Sequence, residues 1–315
     1  MKNIVTLTMN PAIDVNTSVD NFVAERKLRC TDPSREPGGG GVNVSRAIKK
    51  LGGQSSALYT CGGLTGRMFQ ELLDNEGLNH IPIPIKDSVR ENIIIFEESS
   101  TLQYRLCMPG PVLTEDELKS SLERILKLEP RPDYIVASGS LPPGAPKDFY
   151  AQAARIAKQL GSRMIVDTQG EPFKLALEVG VFLVKPNLRE LGQIAEYAIE
   201  DEKQIEEMAG KIVQSNRSEV VVVSLGAAGA LMVTSKESRY IRPPAVRVKS
   251  KVGAGGRAVA GIVLALALGK TIQDAAFFGV AAGTAAVMTP RTELCRREDA
   301  ERLFKEMKLN LLGEA

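Results

Sequence analysis

The chain has 315 residues, 43% hydrophobic and 25% charged, with a formal net charge of +2. That is ordinary for a globular protein and fits one large α/β domain, or a domain with an appendage. The balanced charge offers no basis for nucleic-acid or membrane binding, so any basic site is local.

The opening residues, with no signal peptide before them, read as a strand over Ile4–Met9. Gly41–Leu51 is an amphipathic helix, with Val42, Val44, Ala47, Ile48 and Leu51 on one helical period. A strand at Ser56–Thr60 and a helix at Arg67–Asn75 follow. Residues 16–36 and 90–107 break the alternation, and the second reads as a β-hairpin turning at Ser99 and Ser100. These two excursions are expected to form a small sheet, serving as a lid or a dimer contact; two surface hairpins with no joint role are the other reading. Further on, strands at Tyr134–Ala137, Met164–Val166, Phe182–Val184 and Val220–Ser224 alternate with helical patterns. Those patterns cover Glu115–Leu128, Lys147–Leu160, Phe173–Glu178 and Asp201–Gln214. Continuous apolar strands between helices imply a parallel sheet covered on both faces. The end is helical over Ala258–Leu268, Ile272–Val287 and Glu298–Leu309, and its most apolar run is too short to span a bilayer. A cytoplasmic protein is expected.

The only histidine, His80, excludes His-rich metal sites and reads as a strand-edge residue. Cys30, Cys61, Cys107 and Cys295 form no Cys-x-x-Cys pair and read as isolated reduced thiols. Chemistry therefore rests on carboxylates, Lys/Arg side chains, backbone amides or a bound metal. Pro37 is followed by four glycines, Gly38 to Gly41, and then by Asn43 inside a helix start. Such a run lets backbone approach a ligand, and the helix start favours anions; a flexible turn is the other reading. Asp14, just after the first strand, is placed either to bind sugar hydroxyls or to form a turn. Asn187 and Glu190, three apart, make a capping pair, the favoured local reading, and also place two oxygen ligands for hydrated magnesium on one face. Ser224, Gly226 and Gly229 form a glycine turn after a buried strand, suited to a nucleotide edge or to a plain β-turn.

Gly253, Ala254, Gly255 and Gly256 open a helix with successive amides, an anion hole for a transferring phosphate. A dinucleotide fingerprint fails here because Asp274 falls between two helical runs with no intervening strand. Gly269-Lys270-Thr271 fails as a Walker A loop because Leu264 stands at its first glycine.

Together these pieces resemble the ribokinase-like (phosphofructokinase B) sugar kinase family, nearest its minor type 2 phosphofructokinase branch. The resemblance spans essentially the whole chain. It rests on Leu7 to Pro11, Lys27 to Cys30, Glu36 to Gly41, Gly62 to Gly66 and Tyr104 to Gly110. It continues through Ser138 to Gly144, Lys185 to Asn187, Val221 to Gly226 and Phe278 to Gly283. It implies a three-layer α/β/α body over residues 1–315, with 16–36 and 90–107 as a β lid that makes a homodimer. It implies transfer of the ATP γ-phosphate, with Mg2+, to the 1-hydroxyl of fructose 6-phosphate, giving fructose 1,6-bisphosphate. Asp14, Gly39, Gly40 and Asn43 match sugar-contacting positions. Arg90, Arg105 and Ser140 match positions around the sugar phosphate, and Lys27 matches one reaching in from the partner's lid. Lys185, Asn187, Ser224, Gly226 and Gly229 match the nucleotide side, with Glu190 near magnesium.

One departure stands out. The family's general base is an Asp where this chain has Gly256, followed here by Arg257; Lys251 replaces a threonine of the nearest branch. A cation in a helix's first turn opposes the dipole unless an anion is bound. The expectation is a severely impaired phosphofructokinase. The alternatives are a silent nucleotide or sugar-phosphate binder, or a kinase of tagatose 6-phosphate or fructose 1-phosphate. Related branches carry a lysine in the glycine run, and Gly40 keeps it all glycine, which favours fructose 6-phosphate.

Overall fold

The computed structural model describes residues 1–199, 201–248, 254–289 and 294–313. It begins with β1 (Ile4–Thr8), β2 (Ala12–Val19), β3 (Ser34–Gly38) and α1 (Gly40–Lys50). Next come β4 (Ser56–Cys61), α2 (Gly63–Asn75), β5 (Asn79–Pro84), β6 (Arg90–Glu97) and β7 (Gln103–Leu106). Then follow α3 (Glu115–Leu126), β8 (Tyr134–Ser138), α4 (Phe149–Leu160), β9 (Arg163–Asp167) and α5 (Glu171–Val179). The chain continues with β10 (Val181–Val184), α6 (Leu188–Ala195), α7 (Glu202–Gln214) and β11 (Ser218–Ser224). It ends with β12 (Ala230–Thr234), β13 (Ser238–Ile241), α8 (Ala254–Ala267), α9 (Ile272–Val287) and α10 (Arg297–Gly313).

Nine strands form one sheet in the order β13-β12-β11-β10-β9-β8-β1-β4-β5. From β11 to β5 all neighbours run parallel. The expectation of a parallel sheet needs correcting at one edge, where β12 and β13 are antiparallel. The physical reason is the short turn after β11: a reversal of a few residues permits only antiparallel pairing. At the other edge, β5 carries Pro82 and Pro84, which an edge strand tolerates because one side needs no ladder donors.

Strand alternation divides the core between the two faces. Ile4 packs on one face with Val44 and Ile48 of α1, Val259 and Val263 of α8, and Phe277 of α9. Val5 and Leu7 pack on the other with Phe149 and Tyr150 of α4, Phe173 of α5 and Ile212 of α7. Helices thus cover both faces, giving a three-layer α/β/α body. Gly261 and Gly279 let α8 and α9 pack backbone to backbone: a Cβ on Gly261 would lie 2.9 Å from the Phe278 carbonyl oxygen. No helix among the described residues is long and apolar enough to cross a membrane.

A second sheet, β3-β2-β6-β7, rises from the same end of the body. β2 pairs with β6 in parallel over eight residues, joining the two sequence excursions. β3 then enters α1 through Gly39 alone. Buried Arg46 of α1 ties this junction together. Its Nε and Nη2 donate to Glu76 at 2.6–2.9 Å, its Nη1 donates to the Pro37 carbonyl, and Glu36 lies 3.5 Å away.

The α1 start sits against the ends of β1 and β8. A Cβ on Gly40 would fall 2.3 Å from the Ser138 carbonyl carbon, and one on Gly41 would fall 2.6 Å from the Leu7 carbonyl oxygen. Gly40→Ala is therefore expected to destabilise the protein by about 1–3 kcal/mol through overpacking. Denaturant unfolding measures this, and an unchanged midpoint would show that the contact yields.

Candidate active site

The glycine run becomes functional through what it lacks. Without side chains, the α1 start reaches the strand ends, and Thr8 Oγ1 accepts a hydrogen bond from the Val42 amide at 2.8 Å. Gly39, at φ 110°, holds a backbone conformation that side chains rarely adopt. Asn43 faces the cleft, its Oδ1 accepting from Arg46 Nη1 at 3.3 Å.

β8 ends in the loop carrying Gly139 and Ser140. The Gly139 carbonyl accepts from Tyr150 Oη at 3.1 Å and Thr168 Oγ1 at 2.9 Å, while its amide donates to the Asp167 carbonyl at 3.0 Å. Burial, with Asp167 acting the same way, keeps the Tyr150 phenol well above its ordinary pKa, so it stays a donor. Asp167 closes β9, and each of its oxygens has a partner. Its Oδ2 accepts from Ser138 Oγ at 3.0 Å, and its Oδ1 lies 3.3 Å from Lys185 Nζ. Lys185, 6% exposed just past β10, keeps its charge buried against this carboxylate.

Asn187 caps α6. Its Oδ1 accepts from the Glu190 amide and Glu190 Oε2 accepts from the Asn187 amide, both at 2.9 Å. The capping reading of this pair is thus realised, and Glu190 still borders the cleft. Asn187 also bridges to Ser224, whose amide donates to the Pro186 carbonyl at 2.8 Å. Gly226 and Gly229 complete the turn after β11. At Gly229 φ is 95°, and a Cβ would lie 2.0 Å from the Ile241 carbonyl oxygen.

At the α8 start, Gly253 lies outside the described residues, as does Lys251. Ala254 begins the helix, and Gly255 follows with Lys185 Nζ 3.4 Å from where its Cβ would stand. Around Gly256 a Cβ would meet nothing within 4 Å. Arg257 turns inward: it is 6% exposed, it borders the cleft, and its Nε has no hydrogen-bond partner. Burial is the largest influence holding its pKa below the ordinary value. Arg46 and Arg105 push the same way, while Cys295 and Glu36 oppose. Burial also raises the Cys295 thiol to about 11, which rules it out as a nucleophile at neutral pH.

On the far side, Asp14 of β2 hangs over the glycine run, so a Cβ on Gly38 would meet its Oδ2 at 2.5 Å. Buried Asn92 orients it, donating from Nδ2 to Asp14 Oδ1 at 2.8 Å. Arg90 is a staple as well as a cation. Its guanidinium donates to the carbonyls of Asn10, Pro11 and Met108 at 2.8–3.4 Å, and burial chiefly lowers its pKa. Ser140 accepts from Asn10 Nδ2 at 3.3 Å. Arg105 is exposed on β7, and Lys27 is exposed between β2 and β3. His80 sits on the edge strand β5, bonded to Tyr59 Oη and Asp74 at 3.0 Å, far from these groups along the sheet.

Among the described residues a cleft of about 290 Å³ gathers Gly40, Asn43, Ser140, Asp167, Glu190, Gly256 and Arg257. It lies over the C-terminal ends of β8 and β9, where open α/β sheets take ligands. Lys185, Asn187, Ser224, Gly226 and Gly229 follow along β10 and β11, the next strands in the sheet. Asp14 and Arg90 lie on the side of β1. A larger groove of about 860 Å³, around Lys158, Arg163 and Phe182, lies at the opposite strand ends. The sequence offered no motif for Asp167, Thr168 or Asn92; the one signal was Asp167 ending an apolar strand.

The model for pfkB family carbohydrate kinases matches residues 2–299. ATP-dependent 6-phosphofructokinase isozyme 2 of Escherichia coli is 40% identical over 305 residues, covering 96% of this chain and 98% of that one. The isozyme 2 of Mycobacterium tuberculosis is 40% identical over 302 residues, covering 96% and 89%. The crystal structure of phosphofructokinase-2 from E. coli in complex with fructose-6-phosphate superposes with a TM-score of 0.92 at 39% identity, covering 98% of this chain and 100% of that one. A glycine-run helix start, a second helix start and parallel strand ends therefore meet here within a shared sequence and fold: the chain belongs to the pfkB family of carbohydrate kinases.

Proposed function

We propose that the cleft binds ATP and a ketohexose phosphate, with fructose 6-phosphate first among candidates, and that it transfers phosphate slowly. The substrate follows from the 6-phosphofructokinase relatives at 40% identity. The slowness follows from one observation. Among the described residues, the carboxylates bordering the cleft are Asp167 and Glu190. Asp167 is held through both oxygens, and Glu190 holds the Asn187 amide. Both are committed to contacts within the fold, neither belongs to the α8 start, and Gly256 there brings no carboxylate.

The remaining machinery suits phosphoryl transfer, which depends mostly on positioning and electrostatics. Amides at the starts of α1 and α8 face anionic oxygens. Lys185 places a buried cation beside Gly255, on the nucleotide side with Asn187, Ser224, Gly226 and Gly229. Asp14, oriented by Asn92, accepts from sugar hydroxyls, and Arg90, Arg105 and Ser140 lie toward the sugar phosphate. No cluster of three metal-ligating side chains exists among the described residues. Glu190, with Asp167 beside the same cleft, fits a hydrated Mg2+ shared with nucleotide phosphates rather than a protein cage. When bound, that ion neutralises phosphate charge.

The second sheet is read as a lid that pairs with another copy of this chain, bringing Lys27 to the partner's cleft. Val15, Ile93 and Leu106 are register neighbours across β2, β6 and β7, forming an apolar row. Ile93 is 36% and Leu106 41% exposed. Four free cysteines fit a reducing, cytoplasmic setting.

An ADP-release assay with fructose 6-phosphate tests the transfer step. The double substitution Gly256→Asp with Arg257→Ser is expected to raise kcat by about 10²–10⁴-fold, the usual contribution of a placed base. Equal rates for the parent and the variant would end this reading. Leu106→Glu is expected to lower the molar mass seen by light scattering toward that of one chain. An unchanged mass would move the interface elsewhere.

A further inference from the structure

Among the described residues, Arg257 is a buried charge with an unanswered donor. It stands in the first turn of the fourteen-residue α8, where a cation opposes the helix dipole. It is nine-tenths buried, borders the cleft and leaves Nε without a partner. The neighbouring cations are answered: Lys185 by Asp167, and Arg46 by Glu36 and Glu76. Arg46 and Arg105 add like charge around Arg257, with Glu36 opposing them. A buried donor left unmade is costly, and a guanidinium cannot shed its proton to escape the cost. An anion at this helix start removes all three penalties at once: the dipole conflict, the unmade bond and the crowding of cations.

Room for that anion exists beside it. Gly256 leaves open space where a Cβ would stand, and Gly40 brings the α1 start to the same cleft. Taking the cleft as the acceptor site, as proposed above, we infer that Gly256 and Arg257 make it a receptor for a phosphate dianion, so that it prefers a ligand phosphorylated at the reacting position. The two residues act in one direction. Gly256 brings no repulsive acid, and Arg257 supplies a planar donor pair suited to phosphate. The same oxygens can come from free phosphate or from the second phosphate of a bisphosphorylated ketohexose.

Calorimetric titration of the full chain at constant ionic strength separates these sources, with chloride as the control anion. Inorganic phosphate is expected to bind the parent protein, and Arg257→Gln to weaken that binding by at least about tenfold, as for loss of a charge-assisted bond. Fructose 1,6-bisphosphate is expected to bind more tightly than fructose 6-phosphate, and Arg257→Gln to erase the difference. If phosphate binds but the sugar preference is absent, the receptor is for free phosphate alone, and the stated ligand preference is wrong. No phosphate binding, or binding indifferent to Arg257→Gln, overturns the receptor itself. Should Arg257→Gln not fold, Gly256→Asp serves instead: its carboxylate must weaken phosphate binding, and unaltered affinity overturns the inference. The slow-transfer reading fails separately, through a fast parent enzyme in the ADP assay.

Discussion

The fit of a bare backbone against a bare backbone governs this molecule. Gly40 and Gly41 press the first turn of α1 onto the ends of β1 and β8 at distances no side chain tolerates. That contact brings a helix start, with its unpaired amides and positive end, to the mouth of a parallel sheet. Without it, Asn43 would not face Ser140, and Thr8 would not cap the Val42 amide. A second helix start, that of α8, converges on the same place, held by close packing on α9. Two positive helix ends and a row of strand termini make the cleft attractive to phosphate before any charged side chain is counted.

The charged side chains then divide the cleft into parts. Lys185 and Asp167 neutralise one another across adjacent strands, β10 and β9. Arg46 is enclosed by two glutamates and a carbonyl. Arg257 has no such match for its Nε, and beside it Gly256 brings no carboxylate. The described part of the α8 start therefore carries a cation and no acid.

Much of this was legible in the chain itself. The period of apolar residues located α1, and short apolar runs located most parallel strands. The spacing of Asn187 and Glu190 announced a capped helix, and the structure builds the reciprocal pair of hydrogen bonds. What escaped depended on pairing between strands. Asp167 meets Lys185 only because β9 and β10 are adjacent, and no local pattern encodes that adjacency. Asn92 reaches Asp14 through the parallel register of β2 and β6, again a long-range fact. β5 was hidden by its prolines, and β12 by following a glycine turn with no helix between it and β11. The inward turn of Arg257 was invisible too, since a first-turn arginine ordinarily faces water.

A last consequence belongs to the junction between β3 and α1. One residue, Gly39, separates them, and Arg46 clamps the strand before it and the segment after α2. A flap on a slack tether can swing without disturbing its anchor; this small sheet has no slack. Any tilt at its root is a tilt of the first turn of α1, and therefore a change in how the cleft's amides point. Mechanically, the outer sheet and the glycine-run backbone are two arms of one short lever.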